Sequence, residues 1–99
     1  MVQNEFSLNQ NYPNPFNPFT NIKFVVPEQS KIKLSVFDIL GREISVITNG
    51  TYSTGIYSLQ WNGSKFSSGI YFLKMSAQSI ISEKKFDETK KIILMKLNG

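Results

Sequence analysis

From residue 20 onward, short segments of alternating apolar and polar residues are separated by clusters of turn residues. A period of two is typical of β-strands that bury one face. In the first segment, TNIKFVVP, this pattern places Ile22, Phe24 and Val26 on the same side. Proline cannot donate a hydrogen bond to a ladder. We therefore predict a strand that ends at Pro27, with those three side chains inward.

The next two segments predict a hairpin. KIKLSVFD has the pattern of a strand with its isoleucine, leucine and valine inward. DILGRE follows as a tight turn, in which Gly41 takes a positive φ and Asp38 bonds nearby backbone amides. In the return strand, REISVIT, the apolar residues do not all fall at alternate positions, so they cannot all face the same side. This indicates a bulge or burial on both faces.

Loops and strands then alternate. NGTYSTG is predicted as a polar loop because it holds two glycines. IYSLQWN predicts a strand whose alternate large side chains share a face, with Trp61 as a core anchor. NGSKFSSG is a second predicted loop, and the two loops place Asn-Gly turns at Asn49 and Asn62.

The last third of the chain predicts a central strand and a closing strand. IYFLKMS is apolar on both faces, as a strand with a neighbour on each side should be. SAQSIISEKKFDET is compatible with part of a strand or with a mobile hairpin extension, and KKIILMKL closes the chain. About seven short strands at spacings of roughly ten residues predict an all-β fold, an immunoglobulin-like antiparallel sandwich.

The first twenty residues form a stiff lead-in, which we expect to pack on a single sandwich domain of residues 21–99. Three prolines fix φ and favour extended geometry in the residue before each of them. We expect the asparagines to bond locally, as in Asx-turns, and the aromatic rings to cover the open end of the sandwich. The residues concerned are Tyr12, Pro13, Asn14, Pro15, Phe16, Asn17, Pro18 and Phe19.

Composition limits the chemistry that this domain can perform. The chain has 99 residues, no cysteine and no histidine. It therefore lacks disulfides, thiolate metal sites and the commonest general base. Asp38 and Glu43 flank a turn rather than a cleft, and Asp87 with Glu88 lacks a calcium-binding loop. We predict that the domain is not an enzyme and has no cofactor or metal.

The positive charge is spread over the sequence. Eleven Lys and Arg residues against seven Asp and Glu residues give a net charge of +4. The lysines alternate with apolar residues or interleave with acidic ones, as on a solvated strand face. No apolar run approaches the roughly 18 residues of a spanning helix. We therefore expect neither a nucleic-acid site nor membrane insertion.

Four blocks of sequence carry a family resemblance. They are YPNPFNP with TNIKFVVP, then LSVFDILGREI, then YSLQWNGSKFSSGIYFLKM, and finally TKKIILMKL. In order and spacing they resemble the C-terminal sorting domain of the type IX secretion system of Gram-negative bacteria. That domain is related to the immunoglobulin-like domain of flagellar-hook capping protein.

This resemblance implies a non-catalytic targeting domain at the end of a secreted cargo protein. The cargo reaches the periplasm by its own N-terminal signal, and the outer-membrane translocon then recognises the sorting domain. A sortase-like peptidase removes the domain from many cargoes, which become secreted or attached to the cell surface. The opening MVQNEFSLNQ, which is not a signal peptide, fits a C-terminal fragment of such a protein.

The resemblance also implies roles for individual residues. The translocon would recognise Lys90, Lys91, Ile92, Ile93, Leu94, Met95, Lys96 and Leu97. The fold would be maintained by the lead-in residues 12–18 together with Asp38, Gly41, Arg42, Gly69 and Tyr71.

Two further expectations concern surfaces. A last strand at a sheet edge can accept a receptor strand by β-augmentation, and the same edges permit weak self-association. The alternative to a recognition role is that KKIILMKL is only the closing strand of the sandwich. The alternative function is a structural or carbohydrate-binding module of a secreted enzyme. In that case Tyr52, Tyr57 and Trp61 would form a sugar-stacking surface if exposed, whereas a buried Trp61 belongs to the core.

Overall fold

In the computed structural model of the chain, residues 5–97 are described, and they form seven β-strands and no helix. The outer parts of the predicted lead-in and sandwich, residues 1–4 and 98–99, lie outside this range. Within the described range there is accordingly no helix long and apolar enough to cross a membrane. The strands are β1 (Ser7–Leu8), β2 (Phe19–Val26), β3 (Ser30–Phe37), β4 (Glu43–Tyr52), β5 (Gly55–Asn62), β6 (Gly69–Ser79) and β7 (Lys85–Leu94).

The strands form two antiparallel sheets that pack face to face. One sheet has the order β1-β2-β5 and the other has the order β4-β3-β6-β7. Hairpins join β3 to β4 and β6 to β7, whereas β2, β4 and β5 are each followed by a strand of the opposite sheet. This arrangement confirms the predicted all-β, immunoglobulin-like sandwich.

The core lies between the sheets and is built from alternate side chains of the strands. The predicted inward faces of β2 and β3 are confirmed, because none of their six side chains is more than 1% exposed. Burial of such side chains is the main stabilising term of a small domain. The six are Ile22, Phe24, Val26, Ile32, Leu34 and Val36.

The hairpin of β3 and β4 has the predicted turn and the predicted irregular return strand. Gly41 has a φ of +82°, a conformation that glycine adopts without steric cost. The pairing of β3 with β4 shifts register twice, between Leu34 and Ser35 and again between Val36 and Phe37. These shifts are β-bulges, and they explain why the apolar residues of REISVIT do not all fall at alternate positions.

The prediction of a polar loop at NGTYSTG is wrong for the first four of its residues. They extend β4 as far as Tyr52, with Asn49 opposite Lys33 and Thr51 opposite Lys31. The ladder bonds of an edge strand do not depend on side-chain polarity, so a polar segment can continue it. The Asn-Gly turn expected at Asn49 is therefore absent. The one expected at Asn62 is not formed either, because Asn62 ends β5 and Gly63 has no positive φ. Instead, Asn62 Oδ1 accepts a 2.9 Å bond from the amide of Ser64, and the amide of Phe66 donates to the Gly63 carbonyl over 2.9 Å.

The ambiguous segment before the last strand is a hairpin. β6 continues to Ser79, and β7 begins at Lys85, earlier than KKIILMKL suggested. The Glu28 carboxylate closes the turn by accepting hydrogen bonds from the hydroxyls of Ser79 and Ser82. Those two bonds lower the pKa of Glu28. The β6–β7 turn is thus tied to the β2–β3 connection, which links the two sheets.

Candidate functional site

The eight predicted recognition residues divide between the core and the surface. β7 ends at Leu94 and lies at the edge of the larger sheet. Ile92 and Leu94 are at most 1% exposed, so these two belong to the core. Met95 is 53% exposed and Leu97 is 80% exposed, beyond the end of the strand. The accessible part of the segment therefore lies in alternate strand residues and in the tail, which we define as residues 95–97.

The lead-in covers the end of the β7 edge. The amide of Ile93 donates to Asn14 Oδ1 over 2.9 Å, and the amide of Phe16 donates to the Ile93 carbonyl over 2.9 Å. Two residues beyond Ile93, the amide of Met95 donates to the Phe16 carbonyl over 2.9 Å. Gln10 Nε2 also donates to the Lys91 carbonyl, over 2.8 Å. These bonds occupy the outward groups at the C-terminal end of the strand.

The remainder of the β7 edge is open. Outward and inward backbone groups alternate along an edge strand, and β6 pairs with β7 without a register shift. Since Ile93 faces outward, so do the backbone groups of Thr89, Asp87 and Lys85. Among residues 5–97, no hydrogen bond occupies these outward groups. The open edge therefore spans residues 85–89, because the Lys91 carbonyl is bonded to Gln10, and it lies N-terminal to the predicted recognition segment.

An ion pair lies on the inward-facing side of β7 beside this open edge. The ammonium of Lys90 lies 2.9 Å from a carboxylate oxygen of Glu88, and both side chains are partly buried. Charged side chains that point inward on an edge strand discourage indiscriminate pairing with other strands. The open edge is thus restricted in the partners that it accepts.

One aromatic ring fixes the lead-in to the sandwich. Phe16 is 1% exposed and meets Trp61 edge to face at a centroid distance of 5.8 Å. A Cβ atom on Gly63 would lie 3.3 Å from the Phe16 ring and 3.3 Å from Leu94, so glycine allows this close approach. By contrast, Tyr12 is 79% exposed and Phe19 is 46% exposed. The expectation that all three rings cover the end of the sandwich is wrong for these two.

Buried polar groups complete the attachment of the lead-in. Asn11 is 2% exposed, and its Nδ2 donates to Thr20 Oγ1 over 2.9 Å. Thr20 Oγ1 in turn donates to the Pro13 carbonyl over 2.8 Å. Sequence reasoning missed both residues, because a polar side chain in a polar segment gives no signal of burial. The expected local Asx-turn at Asn14 is also wrong, since its side chain bonds a strand 79 residues away.

The β3–β4 turn is held by its aspartate. Asp38 Oδ1 accepts hydrogen bonds from the amides of Leu40 at 2.9 Å and Arg42 at 3.0 Å. The guanidinium of Arg42 lies 2.8 Å from Asp38 Oδ2. The amide of Arg42 is the main cause of a pKa of Asp38 below its ordinary value. This network supports the fold-maintaining role predicted for Asp38, Gly41 and Arg42.

Tyr71 also stabilises its own region through a local hydrogen bond. Its hydroxyl donates to the Ser67 carbonyl over 2.6 Å, four residues upstream and just before β6. This is the tyrosine corner of immunoglobulin-like domains. Burial raises the pKa of Tyr71, and the nearby Asp38 carboxylate raises it further. Gly69 opens β6 opposite Leu94, so the corner fixes the strand that pairs with β7.

These features lie at the same end of the sandwich, which we call the tail end. β3 ends, β6 begins and β7 ends there, because Phe37 pairs with Phe72 and Gly69 pairs with Leu94. The tail is bonded to the preceding loop: the amide of Lys96 donates to Ser68 Oγ over 2.8 Å. The tail end therefore brings together the β3–β4 turn, the loop of residues 63–68, the tail and the lead-in.

The three aromatic residues of the alternative sugar site do not form an exposed surface. Trp61 is 6% exposed, stacks on Phe66 and donates from Nε1 to Ser45 Oγ over 3.1 Å. Its prediction as a core anchor is confirmed. Tyr57 and Tyr52 are half-buried and pack against each other and against Phe24. The condition for sugar stacking, an exposed Trp61, is thus not met.

The carboxylates that flank the β3–β4 turn act separately. Asp38 is bonded within the turn, whereas Glu43 lies 3.1 Å from the ammonium of Lys33 across the sheet. That contact lowers the pKa of Glu43. Within residues 5–97, no three side chains of His, Cys, Asp or Glu are grouped so that they could hold a metal ion.

A model of a known protein family matches most of the chain. The family model of the secretion system C-terminal sorting domain matches residues 10–95, which include the lead-in from Gln10 and every strand from β2 to β7. No curated protein matches the chain.

Proposed function

Because the chain belongs to the family of secretion system C-terminal sorting domains of type IX secretion, we propose that it directs an attached cargo protein through the outer membrane. In this proposal the domain performs no chemistry. Its cargo occupies the N-terminal side, and its partners are the outer-membrane translocon and a sortase-like peptidase. The cargo passes through the periplasm and ends outside the cell or on its surface.

The position of β7 supports this proposal most directly. β7 is an edge strand whose outward backbone groups over residues 85–89 have no hydrogen-bond partner within residues 5–97. A receptor strand can add to such an edge by β-augmentation, in which main-chain hydrogen bonds provide affinity. The exposed Met95 and Leu97, beyond the part of β7 that the lead-in covers, provide side chains that a receptor can distinguish.

The structure suggests different contributions from the recognition residues 90–97. Ile92 and Leu94 hold the segment in the core, and Ile93 is bonded to the lead-in. In our proposal the translocon reads Lys91, Met95 and Leu97 directly. The fold-maintaining residues act indirectly, because they fix the geometry of the strand that is read.

A reporter fusion tests this function. The chain is fused to the C-terminus of a periplasmic reporter in a bacterium with the type IX machinery, and the reporter is assayed outside the cell. Deleting the whole last strand would remove Ile92 and Leu94 from the core, so the tail is altered instead, by Met95→Ser with Leu97→Ser. Ile56→Ser, at a 52% exposed position of β5, is the matched control.

The outcomes separate the two functional hypotheses. We expect export by the wild type and by the Ile56 control, and much reduced export by the tail variant. Failure of the wild type to leave the periplasm would contradict a targeting function and favour a structural module. Normal export of the tail variant would show that the translocon does not read Met95 and Leu97.

A further inference from the structure

Two large aliphatic side chains occupy the tip of the β3–β4 turn. Ile39 is 71% exposed and Leu40 is 72% exposed. Tight turns ordinarily carry Gly, Pro, Asn, Asp or Ser at these positions. Neither Ile39 nor Leu40 belongs to the hydrophobic core or packs against it. Folding therefore does not explain their hydrophobicity, and neighbouring exposed apolar residues indicate an interaction site.

The turn presents these side chains on a fixed backbone. Asp38 accepts the amides of Leu40 and Arg42, and the amide of Gly41 donates to the Asp38 carbonyl over 3.0 Å. A turn with this many internal bonds loses little conformational freedom when a partner binds. The apolar tip is thus preorganised for contact.

The tip forms one wall of a groove at the tail end. The groove has a volume of about 520 Å³, and Ile44 and Phe66 contribute to its apolar lining. The loop of residues 63–68 also lines the groove, through Lys65, Phe66 and Ser67, and the tail is bonded to this loop at Ser68. The ammonium of Lys96 donates to the Ser64 carbonyl of that loop over 3.0 Å. The groove is therefore separated from the proposed recognition segment by a single loop.

We propose that this groove and the apolar tip are a second docking element for the protein that reads the tail, and that this partner presents an apolar centre with an acidic rim. The inference rests on the proposed function and extends it from the last strand to the β3–β4 turn.

The charges around the groove argue for this partner. Asp38 and Arg42 at the groove pair with each other, whereas Lys65 lines the groove and the ammonium of Lys96 is bonded to the same loop, so the net charge around the groove is positive. An apolar centre with a charged rim is the usual composition of a protein interface. A second copy of this chain would bring the same cations against them, and like charges across an interface are unfavourable.

Paired substitutions test the proposal. Ile39→Ser with Leu40→Ser removes the apolar tip, and both positions are too exposed for a large effect on folding. Ile80→Ser with Ile81→Ser is the matched control, because these exposed residues lie in the β6–β7 turn at the opposite end of the sandwich. Export of the reporter fusion and the thermal midpoint of the isolated chain are measured for both.

We expect the turn variant to lower export about tenfold, as loss of an interface hot spot does, with an unchanged thermal midpoint. The control should export as the wild type does. A charge reversal at the groove, Lys65→Glu, should also lower export, whereas Lys23→Glu on the outer face of the other sheet should not.

Four results would overturn the inference. Normal export of the turn variant, together with loss of export by the tail variant, would leave the proposed function intact and remove the second docking element. Equal loss in the turn variant and its Ile80 and Ile81 control would show a general effect of surface hydrophobicity. A wild-type dimer that the turn variant converts to a monomer in sedimentation analysis would assign the surface to self-association. Failure of the wild type to export would overturn the function and the inference together.

Discussion

Replacing Phe16 with alanine should remove the attachment of the lead-in and destabilise the whole domain. The ring is 1% exposed and contacts Trp61, while Gly63 and Leu94 line the same position. Its loss would leave a cavity between the sheets that the neighbouring backbone cannot fill without moving. The amide and carbonyl of Phe16 also bond the end of β7, so the position of the recognition strand is affected as well.

The magnitude follows from the burial of the ring and its aromatic contact. Full burial of a phenylalanine side chain contributes about 1.5–3 kcal/mol, and an edge-to-face pair adds about 0.5–1.5 kcal/mol. Measured Phe→Ala changes in cores are about 3–5 kcal/mol, which agrees with this range. In a domain of this size, 1 kcal/mol corresponds to about 4–8 °C in the thermal midpoint. We therefore expect a decrease of at least about 12 °C.

Thermal and urea unfolding of the isolated chain, followed by circular dichroism, would measure this decrease. Phe19→Ala is the control, because it removes the same ring three residues later in the same segment, where the side chain is 46% exposed. It should cost less than half as much. Equal destabilisation by both variants would refute the reasoning, since the two positions would then not differ in their contribution to the core.

Three further substitutions test other parts of the argument. Gly63→Ala places a Cβ atom 3.2 Å from the Trp61 ring, and this overpacking should cost about 1–3 kcal/mol in urea unfolding. Tyr71→Phe removes the bond to the Ser67 carbonyl and should cost about 0.5–1.5 kcal/mol, with the β-sheet spectrum retained. The pKa of Asp38 is lowered in the folded state, so its carboxylate stabilises the domain at neutral pH and loses this effect as the pH falls below about 4. Asp38→Asn should accordingly lower the thermal midpoint at pH 7, and its difference from the wild type should shrink as the pH falls below about 4; a difference that stays constant would contradict the assignment.

The sequence was sufficient for features that depend on neighbouring residues. The alternation in TNIKFVVP and KIKLSVFD fixes which face of each strand is buried, because the period of a strand is two. The turn at Asp38 and Gly41 was predictable for a similar reason, since both its hydrogen bonds and its positive φ are local. Both predictions needed no knowledge of the other sheet.

Features that depend on distant residues were not predictable in this way. Phe16 and Phe19 stand in the same repeated motif, Asn-Pro-Phe, yet one ring is buried and the other is nearly half exposed. The difference arises from Trp61 and Gly63, more than 40 residues later, which provide space for only one of the two rings. The partner of Asn14 is likewise a strand at the other end of the chain. Local pattern contains no information on either contact.

The same distinction applies to the candidate site. Residues 90–97 are continuous in sequence, but the sandwich divides them into core positions, lead-in contacts and exposed positions. The open part of the edge precedes all of them, and the exposed Ile39 and Leu40 lie near them only because β3 ends where β7 ends. Recognition of such a surface requires β7 to be paired and Phe16 to be in place. On the proposed function, a translocon that reads this end of the domain would therefore bind the folded chain in preference to the unfolded one, and the fold would contribute to sorting together with the residues of the last strand.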